Sequence, residues 1–167
     1  IVLGPVSELM LVAWATSGDI QHIPTAIVDY DRSEASRALV QALVNTGTFD
    51  VLFWPESENE AVKVVDAGTA LAAFIIPHDF AERLGNPARG QTQLQLILDG
   101  SDPRTAQTAK LSAEGAVAEY VRTRFSQSGL LASPRGFGKV IDLRVRVWFN
   151  EELKESNYEV PSELGFM

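Results

Sequence analysis

The sequence predicts an α/β fold: three layers, with a mostly parallel five-stranded sheet flanked by helices. Three observations predict it. Short apolar runs alternate with helix-period segments between residues 24 and 150. The first three runs are almost continuously apolar, as parallel strands covered on both faces should be. The segments between them carry helix caps and stop residues at the expected offsets.

Each element follows in order. TAIVDY (25–30) is a short β-branched run preceded by Pro24 and closed by Asp31. SEASRALVQALVNTG (33–47) repeats Ala35, Leu39, Ala42 and Leu43 at helical spacing; Asp31 or Ser33 can cap it, and Gly47 stands at its stop. FDVLFW (49–54) is the second strand. The next helix opens with Ser57-x-x-Glu60, a capping box, and ends near Gly68. ALAAFII (70–76) is the third strand, ended by Pro77, and HDFAERL forms a short helix before a Gly/Asn/Pro turn at 85–90. QTQLQLIL (91–98) is the fourth strand. A long helix follows Pro103, with Ala106, Ala109, Ala113, Ala116, Val117 and Tyr120 on one face. SQSGLLASPRGFG (126–138) has no period. IDLRVRVWF (141–149) alternates: Ile141, Leu143, Val145, Val147 and Phe149 face one way, Asp142, Arg144, Arg146 and Trp148 the other.

Strands four and five alternate, so one face of each is less covered and both belong towards an edge. The expected sheet order is 2-1-3-4-5, with the direction of the last strand open and an antiparallel last strand allowed. No internal repeat or second domain is evident.

Composition narrows the function. Of 167 residues, 46% are hydrophobic and 22% charged, with a net charge of −8 and a pI near 4.7. That acidity argues against a nucleic-acid partner, whose phosphates require a basic footprint. The absence of cysteine excludes disulfides, thiolate metal sites and a cysteine nucleophile. The apolar start, IVLGPVSELMLVAWA, lacks the basic region and cleavage site of a signal peptide. Glu8 interrupts it, and it is shorter than the ~20 residues of a spanning helix. It reads as an amphipathic helix on the core or as the outer end of a membrane helix.

Ligands of such sheets bind beyond the carboxyl ends of the strands, and three ends carry polar groups here. They are Asp29 with Asp31, His78 with Asp79, and Asp99 with Ser101 and Asp102. Converging carboxylates could hold a hard cation, and a metal-dependent hydrolase would use Asp29, Asp31 and Asp99. The plainer reading is that each group caps its own helix: Asp31 or Ser33 the first, Asp79 the short one, Ser101 or Asp102 the long one before Pro103. Residue type and offset favour capping at every position.

Other chemistries find less support. No G-x-x-x-x-G-K-[ST] occurs, and GFGK (136–139) precedes a strand. The stretch from Ala26 to Trp54 looks like the opening of a two-component receiver. The third strand, however, ends Ile75-Ile76-Pro77 without a phospho-accepting Asp, and Phe149-Asn150-Glu151 stands where a lysine is needed. His22 and His78 have no motif placing a serine beside them, and neither G-x-S-x-G nor H-E-x-x-H is present. The expectation is a chain that is not an enzyme.

Several pieces together resemble another family. They are VDYDRSEASRALVQAL, AAFIIPHDFAERL, LILDGSDPRTAQTA, RVRVWFNEEL and NYEVPSEL. In order and spacing they resemble the extracytoplasmic domain of a type-2 ABC transporter permease. Two positions depart from the pattern: Glu151 where a proline commonly follows the Asn, and Arg104 where an Asn often follows Asp-Pro.

The resemblance implies that residues 1–20 are the outer end of a preceding membrane helix, 24–150 the α/β core and 151–167 the return towards the membrane. It implies a cell-membrane protein with this domain on the extracytoplasmic side, and no cofactor in this chain. ATP would be bound on a separate nucleotide-binding ATPase subunit. Further partners would be a second permease copy or paralogue and a periplasmic adaptor. Candidate partner contacts are Asp99, Ser101, Asp102 and Arg104 on the turn, and Arg144, Arg146 and Trp148 on the last strand. Arg and Trp are enriched in interface hot spots, although edge-strand charges also serve plain solvation. The competing class is a stand-alone ligand-binding α/β sensor module, which would need an apolar pocket with convergent polar groups.

Overall fold

A computed structural model describes residues 20–86, 90–126 and 140–148. The expected segments 1–20 and 151–167 lie outside these residues, apart from Ile20. The elements are β1 (Ile23–Asp29), α1 (Glu34–Val44), β2 (Phe49–Phe53), α2 (Glu58–Asp66), β3 (Ala72–Ile76), α3 (Phe80–Gly85), β4 (Thr92–Asp99), α4 (Pro103–Ser126) and β5 (Ile141–Trp148). The sheet order is β2-β1-β3-β4-β5, as the hydrophobic pattern predicts.

Strands β1, β2 and β3 run parallel. β4 then runs antiparallel to β3, with Ala72 opposite Leu98 and Ile75 opposite Gln95. β5 runs parallel to β4 from Thr92–Ile141 to Asp99–Trp148. The last strand is therefore antiparallel to the first three, but the reversal falls one strand earlier, at β4. The cause is length. A six-residue α3 rises only about 9 Å, too little to carry the chain back along a five-residue strand of about 16 Å. The chain turns and re-enters the sheet from the end at which β3 left it. By contrast, the 24 residues of α4 span about 36 Å, ample for a crossover between parallel neighbours.

Local signals do what the sequence expects. Ser33 Oγ accepts the Ser36 N–H at 3.1 Å and caps α1. Ser57 Oγ accepts the Glu60 N–H at 3.3 Å and caps α2. The reciprocal half of that box shifts by one residue, because Glu60 Oε2 accepts the N–H of Glu56 at 2.9 Å. Gly47 (φ 72°) and Gly68 (φ 67°) take the left-handed geometry just past α1 and α2.

The two faces of the sheet are covered unequally. On one, Ile23, Ile27, Phe49, Phe74, Leu94 and Leu96 pack under α1, α3 and α4. Phe49 and Phe74 meet edge-on with ring centroids 5.2 Å apart. Small side chains at Ala106, Ala109, Ala113 and Ala116 keep the buried stripe of α4 close to its neighbours. On the other face a smaller core of Ala26, Val28, Ala73, Ile75 and Ile97 lies under α2, the only helix there among the described residues. That layer ends at β4, so Arg144 and Arg146 of β5 are exposed on this face.

Ala113 is fully buried, so Ala113→Leu should lower unfolding free energy by about 1–3 kcal/mol through overpacking. Leu111→Ala, on the exposed side of the same helix, should change it by less than about 0.5 kcal/mol. Urea denaturation followed by circular dichroism measures both.

Candidate functional site

The reversal at β4 decides where the polar strand ends lie. Asp29 stands opposite Ile76, the last residue of β3. The Asp99 N–H donates to Leu71 O, just before the first residue of β3, at 2.9 Å. The Asp29 and Asp99 clusters therefore sit at opposite ends of the sheet, about 16 Å apart along the strands. One cation, with ligands at about 2.0–2.6 Å, cannot take both. Among the described residues no group of three or more His, Asp or Glu side chains is placed to hold a metal ion.

Each cluster is occupied locally. Asp29 Oδ1 accepts the N–H groups of Asp31 (3.1 Å) and Arg32 (2.9 Å), and Oδ2 accepts the Ser36 hydroxyl at 2.7 Å. It braces the β1–α1 loop, in which Arg32 takes a left-handed φ of 52°. Asp31 caps nothing; Ser33 does, and Asp31 Oδ2 is buried without a hydrogen-bond partner. Asp79 differs from expectation too: its side chain makes no capping bond and instead pairs with Arg83 one turn on. The exposed His78 ring lies 5.1 Å from that of Tyr30. His22 Nδ1 lies 3.1 Å from the Asp50 carboxylate, with both side chains exposed.

At the other end, the buried Asp99 accepts the Ser101 N–H at 2.8 Å. Asp102 accepts the Arg104 N–H at 3.1 Å and the Thr105 hydroxyl, capping α4 ahead of Pro103. The DGSDPR turn is thus a helix start. Because β5 runs parallel to β4, Trp148 arrives beside it, and the Gly100 N–H donates to Trp148 O at 2.8 Å.

The structure brings the seven candidate contact residues onto one end and one open face of the β4–β5 pair. Asp99 pairs with Trp148, Ile97 with Arg146 and Gln95 with Arg144. They are not equally available. Trp148 is partly buried against the α2-side core. Arg146 lies 4.0 Å from Glu58, which also accepts from Gln95 Nε2 at 3.0 Å. Arg144 bonds Asp142 at 3.1 Å along its own strand.

Sequence reasoning missed the exposed apolar pair at the opposite edge, Leu52 (61% exposed) and Trp54 (60%). The expected order already places β2 at an edge, but FDVLFW reads as covered on both faces, and Leu52 and Trp54 are not. The pairing with β1 also slips at Leu52, where Thr25 faces Val51 and Ala26 faces Phe53. Nothing in composition signals that slip.

Helices α1 and α4 also frame a groove of about 580 Å³ over Ala38, Ala42, Gly115 and Ala116. Tyr120 lines it as well. The Tyr120 hydroxyl donates to Ala35 O at 3.0 Å and its ring packs 6.4 Å from Phe80, tying α4 to α1 and α3. Burial raises the Tyr120 pKa; Arg124 opposes this and Asp31 adds to it. On the exposed side of α4, hydrogen bonds from Arg122 and Thr123 hold Glu119 below the usual carboxylate range.

Comparison with known proteins matches this architecture. Residues 6–140 fit the sequence profile described as ABC-2 family transporter protein. The chain is 25% identical over 160 residues to the probable multidrug ABC transporter permease YbhS of Escherichia coli K12, covering 96% of this chain and 41% of that protein. It is 28% identical over 167 residues to the probable multidrug ABC transporter permease YbhR of the same organism, covering 100% of this chain and 43% of that protein. The chain thus spans about two-fifths of the length of these relatives. A crystal structure of a domain of a putative ABC type-2 transporter from Thermotoga maritima shares the fold. It has a TM-score of 0.53 and 20% identity, covering 84% of this chain and 99% of that one.

Two outcomes follow from the geometry. Asp29→Ala frees three donors at the β1–α1 loop and should cost about 1–3 kcal/mol in urea unfolding. Tyr120 has its folded pKa raised above the ordinary 10.0, so the folded state holds that proton more tightly than the unfolded chain. Its contribution is complete below pH 10 and is lost as pH rises through the folded value. Unfolding curves from pH 8 to 11.5 should therefore fall more steeply for the unmodified chain than for Tyr120→Phe.

Proposed function

The chain belongs to the ABC-2 transporter family, and on that premise we propose that it is the extracytoplasmic domain of an ABC exporter permease. In this reading the domain catalyses nothing. It stands outside the membrane and contributes to the export path and to contacts with partner subunits. ATP is hydrolysed on a separate nucleotide-binding subunit, reached through the membrane part of the permease. A second permease copy or paralogue completes the transporter, and a periplasmic adaptor is a further partner. The cargo class is hydrophobic or amphipathic compounds.

The observation that carries this reading is the profile match through most of the α/β lobe, together with similarity along nearly all of this chain to about two-fifths of two proteins named as permeases. The local chemistry is compatible: Asp29, Asp79, Asp99 and Asp102 are engaged by the chain's own N–H, hydroxyl and guanidinium groups. Among the described residues no helix is long and apolar enough to cross a membrane.

Sidedness is the direct test. The chain has no cysteine, so Leu52→Cys and Leu111→Cys, both at exposed positions, introduce unique labels into a cysteine-free full-length protein. A membrane-impermeant maleimide should label both in intact spheroplasts. Labelling only after the membrane is permeabilised would place the lobe in the cytoplasm and sink the reading.

A further inference from the structure

The two edges of the sheet are not alike. β2 is five residues long and its pairing slips at Leu52, features that blunt an edge against further pairing. β5 is eight residues long and pairs with β4 in unbroken register through all eight. Among the described residues no strand lies outside it. Beside it, a groove of about 510 Å³ runs between α4 and β5, lined by Val117, Val121, Val140, Ile141 and Leu143. Leu143, Val145 and Val147 are only partly buried there. A regular edge that no described strand pairs, beside a groove whose apolar lining is rimmed by Glu114, is a template for strand addition.

The charges on β5 say what fits. Its open face carries Asp142, Arg144 and Arg146. Within one copy Arg144 bonds Asp142 along the strand and Arg146 lies near Glu58, so an added strand must place compatible charges opposite them. An antiparallel copy of β5, related by a twofold axis through Leu143, sets Asp142 opposite Arg144 and Arg144 opposite Asp142. On the α4 side the same register sets Leu143 against Leu143 and Ile141 against Val145, all apolar. Arg146 falls opposite Val140 and keeps Glu58 beside it, 4.0 Å away. Moving the axis one pleat, to Arg144, would bring two arginines face to face, which is unfavourable.

We propose that β5 pairs edge to edge with β5 of a second copy of this chain, in antiparallel register centred on Leu143, joining two five-stranded sheets into one. This deepens the permease reading and rests on it. One edge pairing is small beside the ~1,200–2,000 Å² of a stable soluble interface, and two copies held in one membrane meet at high effective concentration.

The test uses the full-length protein in its own membrane, cysteine-free except for Leu143→Cys. Facing Cα atoms of antiparallel strands lie about 4.5–5.5 Å apart, within disulfide reach. Mild oxidation should give a homodimer joined at position 143, verified by co-expressing two differently tagged copies. Leu52→Cys, at the other edge, should give none. Adding Asp142→Arg should cut the cross-linking yield roughly fivefold by opposing like charges, and adding Arg144→Asp to that variant should restore it. No cross-link at 143, equal cross-linking at 52, a product containing only a different protein, or indifference to the charge swap would each overturn the proposal. Export measured in the same cells keeps the two ideas apart. Intact export without the cross-link rejects the edge pairing alone, whereas no ATP-dependent export by the unmodified protein rejects the permease reading.

Discussion

The short α3 helix constrains everything that follows it in the chain. Six residues cannot return the chain along β3, so β4 enters from the near end and runs the other way. From there the 24-residue α4 is long enough to bring β5 back parallel to β4. The sheet is thus a parallel trio joined to a parallel pair of opposite sense. That junction separates Asp29 and Asp31 from Asp99 and Asp102, which a wholly parallel sheet would have gathered on one rim. It also carries Trp148 to the turn that starts α4.

The unequal layering has its own consequence. Among the described residues three helices cover one face and only α2 covers the other, and the α2-side face of the β4–β5 pair is largely polar. Glu58 at the start of α2 marks the limit of that cover, reaching Gln95 and approaching Arg146. Beyond it Arg144 and Arg146 project into solvent. A lobe built this way has a well-packed interior and two edges of different character, one short and irregular, one long and regular. Such a lobe is suited to making contacts, and of the strand-end carboxylates that suggested chemistry, Asp29 braces a loop, Asp99 holds the turn after β4 and Asp102 caps α4.

Much of this was legible in the residues. The nearly continuous apolar runs at 25–30, 49–54 and 70–76 and the alternation at 91–98 and 141–149 predict which strands are covered on both faces. The sheet order follows from that contrast. Ser57 is visible as a cap, and Ser33 and Asp102 each as one of two candidates beside Asp31 and Ser101, because a cap is a local arrangement of side chain and nearby N–H groups. Asp79 misled, since the same residue type also suits a pairing with Arg83 one turn on, and spacing does not choose between them.

The sequence by itself determined the elements, the candidates for most of their caps, the order of strands and the family resemblance, because each rests on the local pattern of side chains along the chain. Only the tertiary structure decided the direction of β4, the slip at Leu52 that leaves Leu52 and Trp54 exposed, and the meeting of Trp148 with the DGSDPR turn. Those depend on how far a connection reaches and on which backbone lies beside which. Both are properties of the assembled sheet, which no local pattern of residues encodes.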